Sequence, residues 1–346
     1  MTKENVKSSD HEEPQRGVFS RSILEHRMLV ARAEPLNEPS KEIAYVDIEL
    51  PISNHVRLPA RIYRPKGYNS EKLLPTLFYV PGTAFIASET KFTHLVCSHL
   101  CDKTGYQIIV INHRLAPEEQ FPVGYQDAYK LLNFFTVIAP EFFNIDRQHV
   151  VISGYSSGGN FAALMAIEAK KQGIHVTRQI LISPFVDLSR TLNAFKEFED
   201  KDTDIKDEFV KWFLKLYIPP SISPKNPAIS PFWVKQTDLK GLPPTDIILA
   251  EFDRFRSDAE AFYTKLRGSG VVTEKFMMPQ AKHSYLWYKL EVVDKITERL
   301  TLALSDNQLS KDNWLLTIKP NPKNIEENRD NPSPSAHGSP FTLSKL

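Results

Sequence analysis

The segment Gly154-Tyr155-Ser156-Ser157-Gly158 restricts the folds open to this chain more than any other. It follows the apolar, β-branched run Val150-Val151-Ile152 and precedes Phe161-Ala162-Ala163-Leu164, which reads as helix. A strand must therefore reverse into a helix at the serine. Such a turn strains the serine backbone, and neighbouring chain can approach it only where side chains are missing. Gly154, Gly158 and Gly159 leave that room. The competing reading is a glycine-rich turn that merely caps a helix, because the bare G-x-S-x-G pattern recurs by chance.

Strands and helices alternate through the rest of the chain. Ile43, Tyr45, Asp47 and Glu49, then Val56, Leu58, Ala60 and Ile62, alternate across Pro51 and Asn54-His55, which predicts a β-hairpin. Short apolar runs at 76–80, 107–112, 149–153, 179–183 and 246–250 predict buried parallel strands. Helical stretches at 93–103, 124–139, 157–172 and 257–266 fall between them, so the sheet should be doubly wound. Upstream, Ile23, His26, Met28, Leu29 and Val30 recur at near-helical spacing. Between Asp187 and Pro243 the alternation stops and two helical segments are expected. The second carries Phe209, Trp212, Phe213, Leu216 and Tyr217, as an inserted lid would.

Composition narrows the partners. The 346 residues are 41% hydrophobic and 25% charged, as in ordinary globular proteins. The 43 Lys and Arg against 42 Asp and Glu leave +1, so no global field favours nucleic acid, an anionic membrane or a polyanionic substrate. Cys97 and Cys101 are the only cysteines, too few for a disulfide framework and consistent with a reducing compartment. With His94 and His99 they crowd one segment, but on a helix Cys97 and Cys101 share a face that His99 does not, so buried thiols are favoured over a metal site. The polar 1–17 lacks the apolar core of a signal peptide, and the apolar stretch 73–87 is broken by Pro75, Pro81 and Gly82. The expectation is a soluble, cytoplasmic protein without a membrane span. The terminal Ser344-Lys345-Leu346 would be a peroxisomal address in a eukaryote.

A serine nucleophile needs a base, and after a strand-to-helix elbow the chain order is Ser, then Asp or Glu, then His. Only His175, His283 and His337 follow Ser156. His175 lies beside a helix end and His337 in a polar tail, which leaves His283, expected in a loop. Asp253 follows the 246–250 strand closely, at the sheet edge where Ser156 lies, and is preferred to its neighbours Glu251 and Asp258.

With these residues in place, further segments bear a resemblance. His113-Arg114-Leu115-Ala116-Pro117-Glu118 followed by Phe121-Pro122 is similar to Y-R-L-A-P-E and F-P of the hormone-sensitive-lipase-like esterases. Gly241-Leu242-Pro243-Pro244, Ala250-Glu251-Phe252-Asp253 and Lys282-His283-Ser284-Tyr285 resemble the same family around its acid and base. The resemblance spans about residues 72–300 and implies an α/β-hydrolase fold. Its eight-stranded, mostly parallel sheet would carry a cap built from the N-terminal helix and the insertion. It further implies hydrolysis of short- to medium-chain acyl esters, without metal or organic cofactor. By the same resemblance the oxyanion hole would use the backbone N–H groups of Thr83, Ala84 and Ser157. The family's H-G-G-G is Pro81-Gly82-Thr83-Ala84 here, so glycine's access to positive φ is lost at two positions, and threonine reaches it at a cost.

The expected organisation is a disordered 1–17, an N-terminal cap helix within 18–40, a hydrolase domain over 41–304 with its insertion at about 188–230, and a polar tail over 305–346. The expected activity is a serine carboxylesterase with a small-molecule ester substrate. A non-catalytic ligand-binding homologue and an amidase or deacetylase are the alternatives, and the sequence leaves oligomeric state open, a dimer included.

Overall fold

Side chains of the central strands alternate between two apolar layers. In β4 (Gln107–Ile111), Ile109 and Ile111 enter one layer and Ile108 and Val110 the other. Strand β7 (Thr245–Phe252) divides Ile247 and Leu249 from Ile248 and Ala250 in the same way. Such strands are stable only with helices on both faces, and this arrangement is seen in a computed structural model that describes residues 22–310, apart from 54, 89–90, 192–202 and 288. The chain divides into Met1–Gln308 and Leu309–Leu346, and the sheet and the site belong to the first unit.

Eight strands form one sheet in the order β1-β2-β4-β3-β5-β6-β7-β8. The hairpin of β1 (Ala44–Ser53) and β2 (Val56–Arg64) joins β4 antiparallel. From β4 onward, β3 (Leu74–Val80), β5 (Ile145–Tyr155), β6 (Arg178–Ile182), β7 and β8 (Thr273–Lys282) pair parallel. The expected α/β-hydrolase fold with its eight-stranded, mostly parallel sheet is thus observed.

Helix α1 (Ile23–Arg32) opens with a capping box between Ser22 and Glu25. Helix α2 (Lys91–Thr104) holds Cys97 and Cys101 as buried free thiols, and among the described residues no three His, Cys, Asp or Glu gather as metal ligands. Helix α3 (Val123–Asn133) continues as a π turn over Phe134–Ile138. Helix α4 (Ser157–Lys171) follows β5 directly. Within the insertion, α5 (Asp207–Tyr217) buries Val210, Phe213, Leu214 and Tyr217 on one face, and the short α6 spans Gln236–Leu239. Helix α7 (Arg256–Gly268) and helix α8 (Glu291–Ser310) complete the layers. Among the described residues no helix is long and apolar enough to cross a membrane.

Two boundaries differ from expectation. Helix α8 continues through Ser310, past the end of the hydrolase domain expected at residue 304, because Ile296, Leu300 and Ala303 form a buried stripe against the sheet. His283 is not in a loop but follows β8 at once, as the first residue of a 3₁₀ turn, His283–Trp287. The 1–17 segment, part of the insertion (192–202) and the terminal Ser344-Lys345-Leu346 lie outside the described residues.

One charged cluster is largely buried. Asp246 is fully buried, 2.9 Å from Arg178 and 3.2 Å from Arg299, each of whose side chains is 5% exposed. Removing the carboxylate takes away the buried acid that Arg178 and Arg299 share, and the glutamates that also pair with Arg299, Glu274 and Glu298, are half-exposed. Asp246→Ala is expected to cost about 3–5 kcal/mol of unfolding free energy, measured by urea denaturation. An unchanged midpoint would show that the guanidiniums find other partners.

Candidate active site

The turn between β5 and α4 exists because three side chains are absent. A Cβ on Gly158 would lie 2.1 Å from the carbonyl oxygen of Val80, and one on Gly154 would lie 2.2 Å from that of Gly158. A Cβ on Gly82 would meet the Tyr155 ring at 2.4 Å. These contacts bring the end of β3, the end of β5 and the first turn of α4 together. Ser156 sits at their junction with φ 57° and ψ −118°, a strained conformation for a side-chain-bearing residue. It stands where an N-cap would, yet makes no capping bond. Its Oγ instead faces His283 Nε2 at 2.9 Å.

His283 Nδ1 lies 2.9 Å from Asp253 Oδ2. A carboxylate can only accept, so Nδ1 carries the proton and Nε2 presents its lone pair to the serine hydroxyl. Burial alone would lower the His283 pKa, but the charge of Asp253, its hydrogen bond and the charge of Asp204 together hold it above the ordinary histidine value. Asp253 is steadied by the Phe255 N–H, 2.9 Å from Oδ1. The two rival carboxylates stand elsewhere. Glu251 accepts from the Gln280 amide at 2.7 Å. Asp258 is buried on α7 with no hydrogen-bond partner among the described residues, and burial beside Asp187 and Asp253 pushes it toward the neutral acid.

The loop after β3 departs from expectation in where its strain falls. Positive φ occurs at Ala84 (51°) and Phe85 (65°), not at Thr83. The cost of about 1–2 kcal/mol per residue is offset by packing. The Phe85 ring is buried and stacks on Tyr217 of α5 at 3.9 Å, and the Phe85 carbonyl accepts from Ala116 N–H. Thr83 N–H donates to Ser157 Oγ at 2.9 Å. Ser157 N–H belongs to the first turn of α4 and so has no acceptor within the helix.

Above the serine lies a cavity of about 120 Å³. Its far wall is apolar, with Val30 of α1, Phe209 and Phe213 of α5, and Phe185 and Phe255 from the loops after β6 and β7. His26 of α1 also lines it and packs against Phe209 and Trp212. Helix α1 is held there by Arg27, which donates to the carbonyls of Ile86 and Ala116 and pairs with Glu118 at 2.6 Å.

Sequence reasoning missed two residues of this neighbourhood. Tyr155 stacks on the His283 ring and donates its hydroxyl to the His283 carbonyl at 2.7 Å. Its place before the serine was visible, but its partner was not. Asp204 accepts the backbone N–H groups of His283 and Ser284, and a lone aspartate in a polar insertion carries no local signal.

The sequence pattern of the alpha/beta hydrolase fold family matches residues 77–287, more than half of the chain. The chain belongs to this family. Within it, the hydrolase resembles the hormone-sensitive-lipase-like branch. It is 28% identical to an arylesterase of Saccharolobus solfataricus over 75% of this chain and 81% of that protein. It is 24% identical to the gibberellin receptor GID1A of Arabidopsis thaliana over 73% of this chain and 78% of the receptor. Among solved structures it superposes on the hyperthermophilic esterase from the archaeon Pyrobaculum calidifontis with a TM-score of 0.68 and 26% identity, covering 77% of this chain and 86% of that one.

Close backbone approach at the elbow sets a measurable contrast. Gly158→Ala places a methyl group against backbone and should cost at least about 3 kcal/mol in denaturant unfolding. Gly173→Ala, where φ is +71° and nothing lies within 4 Å of the new atom, should cost only about 1–2 kcal/mol. Equal costs would refute the steric account of the elbow.

Proposed function

We propose that this hydrolase is a serine carboxylesterase acting on short- to medium-chain acyl esters through an acyl-enzyme on Ser156. The observation that carries the proposal is the chain Ser156 Oγ, His283 Nε2, His283 Nδ1, Asp253 Oδ2, with 2.9 Å at each contact and the histidine and aspartate buried, on the floor of an apolar cavity. In the first half-reaction Ser156 Oγ bonds to the ester carbonyl carbon while its proton passes to His283 Nε2. The carbonyl electron pair moves onto oxygen, then returns to expel the alcohol, which takes the proton from Nε2. Water repeats the sequence on the acyl-enzyme and frees the acid. Asp253 keeps the imidazole in the tautomer that accepts at Nε2, and its charge favours the imidazolium formed on the way.

The oxyanion would be met by the amides of Ala84, Thr83 and Ser157. The Thr83 amide is engaged by the Ser157 hydroxyl, which must turn aside before that donor is free. This engagement, with non-glycine residues in the loop, favours slow or selective turnover and is the one observation that leans toward a ligand-binding role like that named for the gibberellin receptor. A chemically competent His283 leans the other way. A cavity of about 120 Å³ is small beside the few hundred Å³ of ordinary ligand pockets, which favours short acyl groups.

Turnover of a p-nitrophenyl ester series from acetate to decanoate, with organophosphonate labelling, tests the proposal. Wild type should be labelled at Ser156 and favour the short esters, and Ser156→Ala should do neither. Folded wild type that neither turns over nor labels would refute it. Because the base must be neutral and its pKa is raised, kcat/KM should fall as pH drops through a midpoint above about 6.5. A second variant tests the loop: Ser157→Ala frees the Thr83 amide and should raise kcat/KM about 3- to 10-fold. A decrease would mean that the hydroxyl itself donates to the oxyanion.

A further inference from the structure

The insertion reaches the base through its backbone. Immediately before α5, Asp204 Oδ1 accepts the N–H of His283 at 3.1 Å and Asp204 Oδ2 accepts that of Ser284 at 2.7 Å. These amides open the 3₁₀ turn His283–Trp287 and have no acceptor within it. A carboxylate spanning both is a charge-assisted, two-point attachment, which fixes the direction in which the turn leaves β8. The same three-residue segment is gripped from the other side of the site. Arg254, next in sequence to Asp253, donates from Nε to the carbonyl of Ile205 at 2.7 Å and from Nη2 to Thr203 Oγ1 at 3.3 Å. Thr203 and Arg254 are buried, whereas Asp204 stays open to solvent. Ile205 in turn lines the cavity beside Phe209 and Phe213, which follow it on α5.

We infer that Asp204 is a positioning residue for His283, by which the cavity-lining insertion sets the orientation and protonation of the base. This rests on the esterase reading for its catalytic consequence, though not for its geometry. Any group that packs on Ile205, Phe209 and Phe213 presses on the segment that holds the histidine backbone. The charged and titratable groups around His283 are Asp253 after β7 with Arg254 beside it, Tyr155 from β5, Lys282 and Tyr285 near it in sequence, and Asp204 from the insertion, with Asp258 of α7 behind Asp253. Tyr155 is held neutral by burial, so Asp204 is the second negative charge that favours the imidazolium.

The sign follows directly. Removing the Asp204 charge lowers the pKa of His283, so the acid limb of kcat/KM moves to lower pH. Asp204→Ala and Asp204→Asn should lower kcat about 10- to 100-fold with KM nearly unchanged, and Asp204→Glu should recover part of the loss. A titration of His283 by NMR on histidine-labelled full-length protein should show its pKa lower in Asp204→Asn than in wild type, by a modest amount because Asp204 is open to solvent. Folded variants with unchanged kcat and an unchanged His283 titration would overturn the inference. If wild type hydrolyses no ester, the esterase reading fails, and the NMR titration alone decides whether Asp204 controls the imidazole. Should Asp204→Ala not fold, the Asn and Glu variants carry the comparison.

Discussion

The close approach of three backbone segments at the β5–α4 turn governs the rest of the structure. With no Cβ on Gly158, the first turn of α4 rests directly on the carbonyls of Val80 and Pro81. That single contact brings the loop after β3 within hydrogen-bond reach of Ser157, and it lifts Ser156 clear of the sheet edge. The conformation of Ser156 is costly in isolation. It is tolerated because the helix and two buried strands leave it no alternative. His283 and Asp253 then need only stand at the ends of β8 and β7 to reach it, since parallel strands deliver their carboxyl ends to one side of the sheet.

Around this junction, long-range order is kept mainly by side chains bonding to main-chain carbonyls. Asn160 ties the start of α4 to the carbonyls of Phe185 and Ile229, each at 2.8–2.9 Å. Arg27, Tyr155 and Arg254 do the same for Ile86, His283 and Ile205. Bonds to carbonyls fix the path of a loop without specifying its side chains. This is why Thr83 and Ala84 can occupy positions where related loops carry glycine, provided that Phe85 is anchored by its ring on Tyr217.

Those cross-links mark the limit of what the sequence reveals. Period-two runs such as Ile108 to Ile111 and the break at Asn54-His55 announce strands and a hairpin because burial and turn geometry are local demands. Chain order and elimination point to His283, and position after a strand points to Asp253; the fold then places His283 2.9 Å from both Ser156 Oγ and Asp253 Oδ2. Asp204 lies 79 residues from the amide it binds, and nothing near it in sequence reports that contact. Positive φ falls on Ala84 and Phe85, whereas the missing glycines point to Thr83 and Ala84. Composition shows which glycines are missing but not how the backbone redistributes its torsions. Helix α8 runs through Ser305, Asp306 and Asn307, poor helix formers by themselves, because the packing of Ile296 and Leu300 holds the helix upstream of them.

Helix α1 contributes no buried residue, yet it supplies Val30 and His26 to the cavity wall. Its described attachments are the fork of Arg27 to two carbonyls and to the half-exposed Glu118, the packing of His26 on Phe209 and Trp212, and that of Ile23 against the core. A wall held by a few peripheral contacts, with no fully buried residue of its own, can diverge with little effect on the sheet beneath it. In evolutionary terms, what the cavity admits is a detachable trait, because substitutions on α1 alter its wall at Val30 and His26 and leave the buried strands untouched.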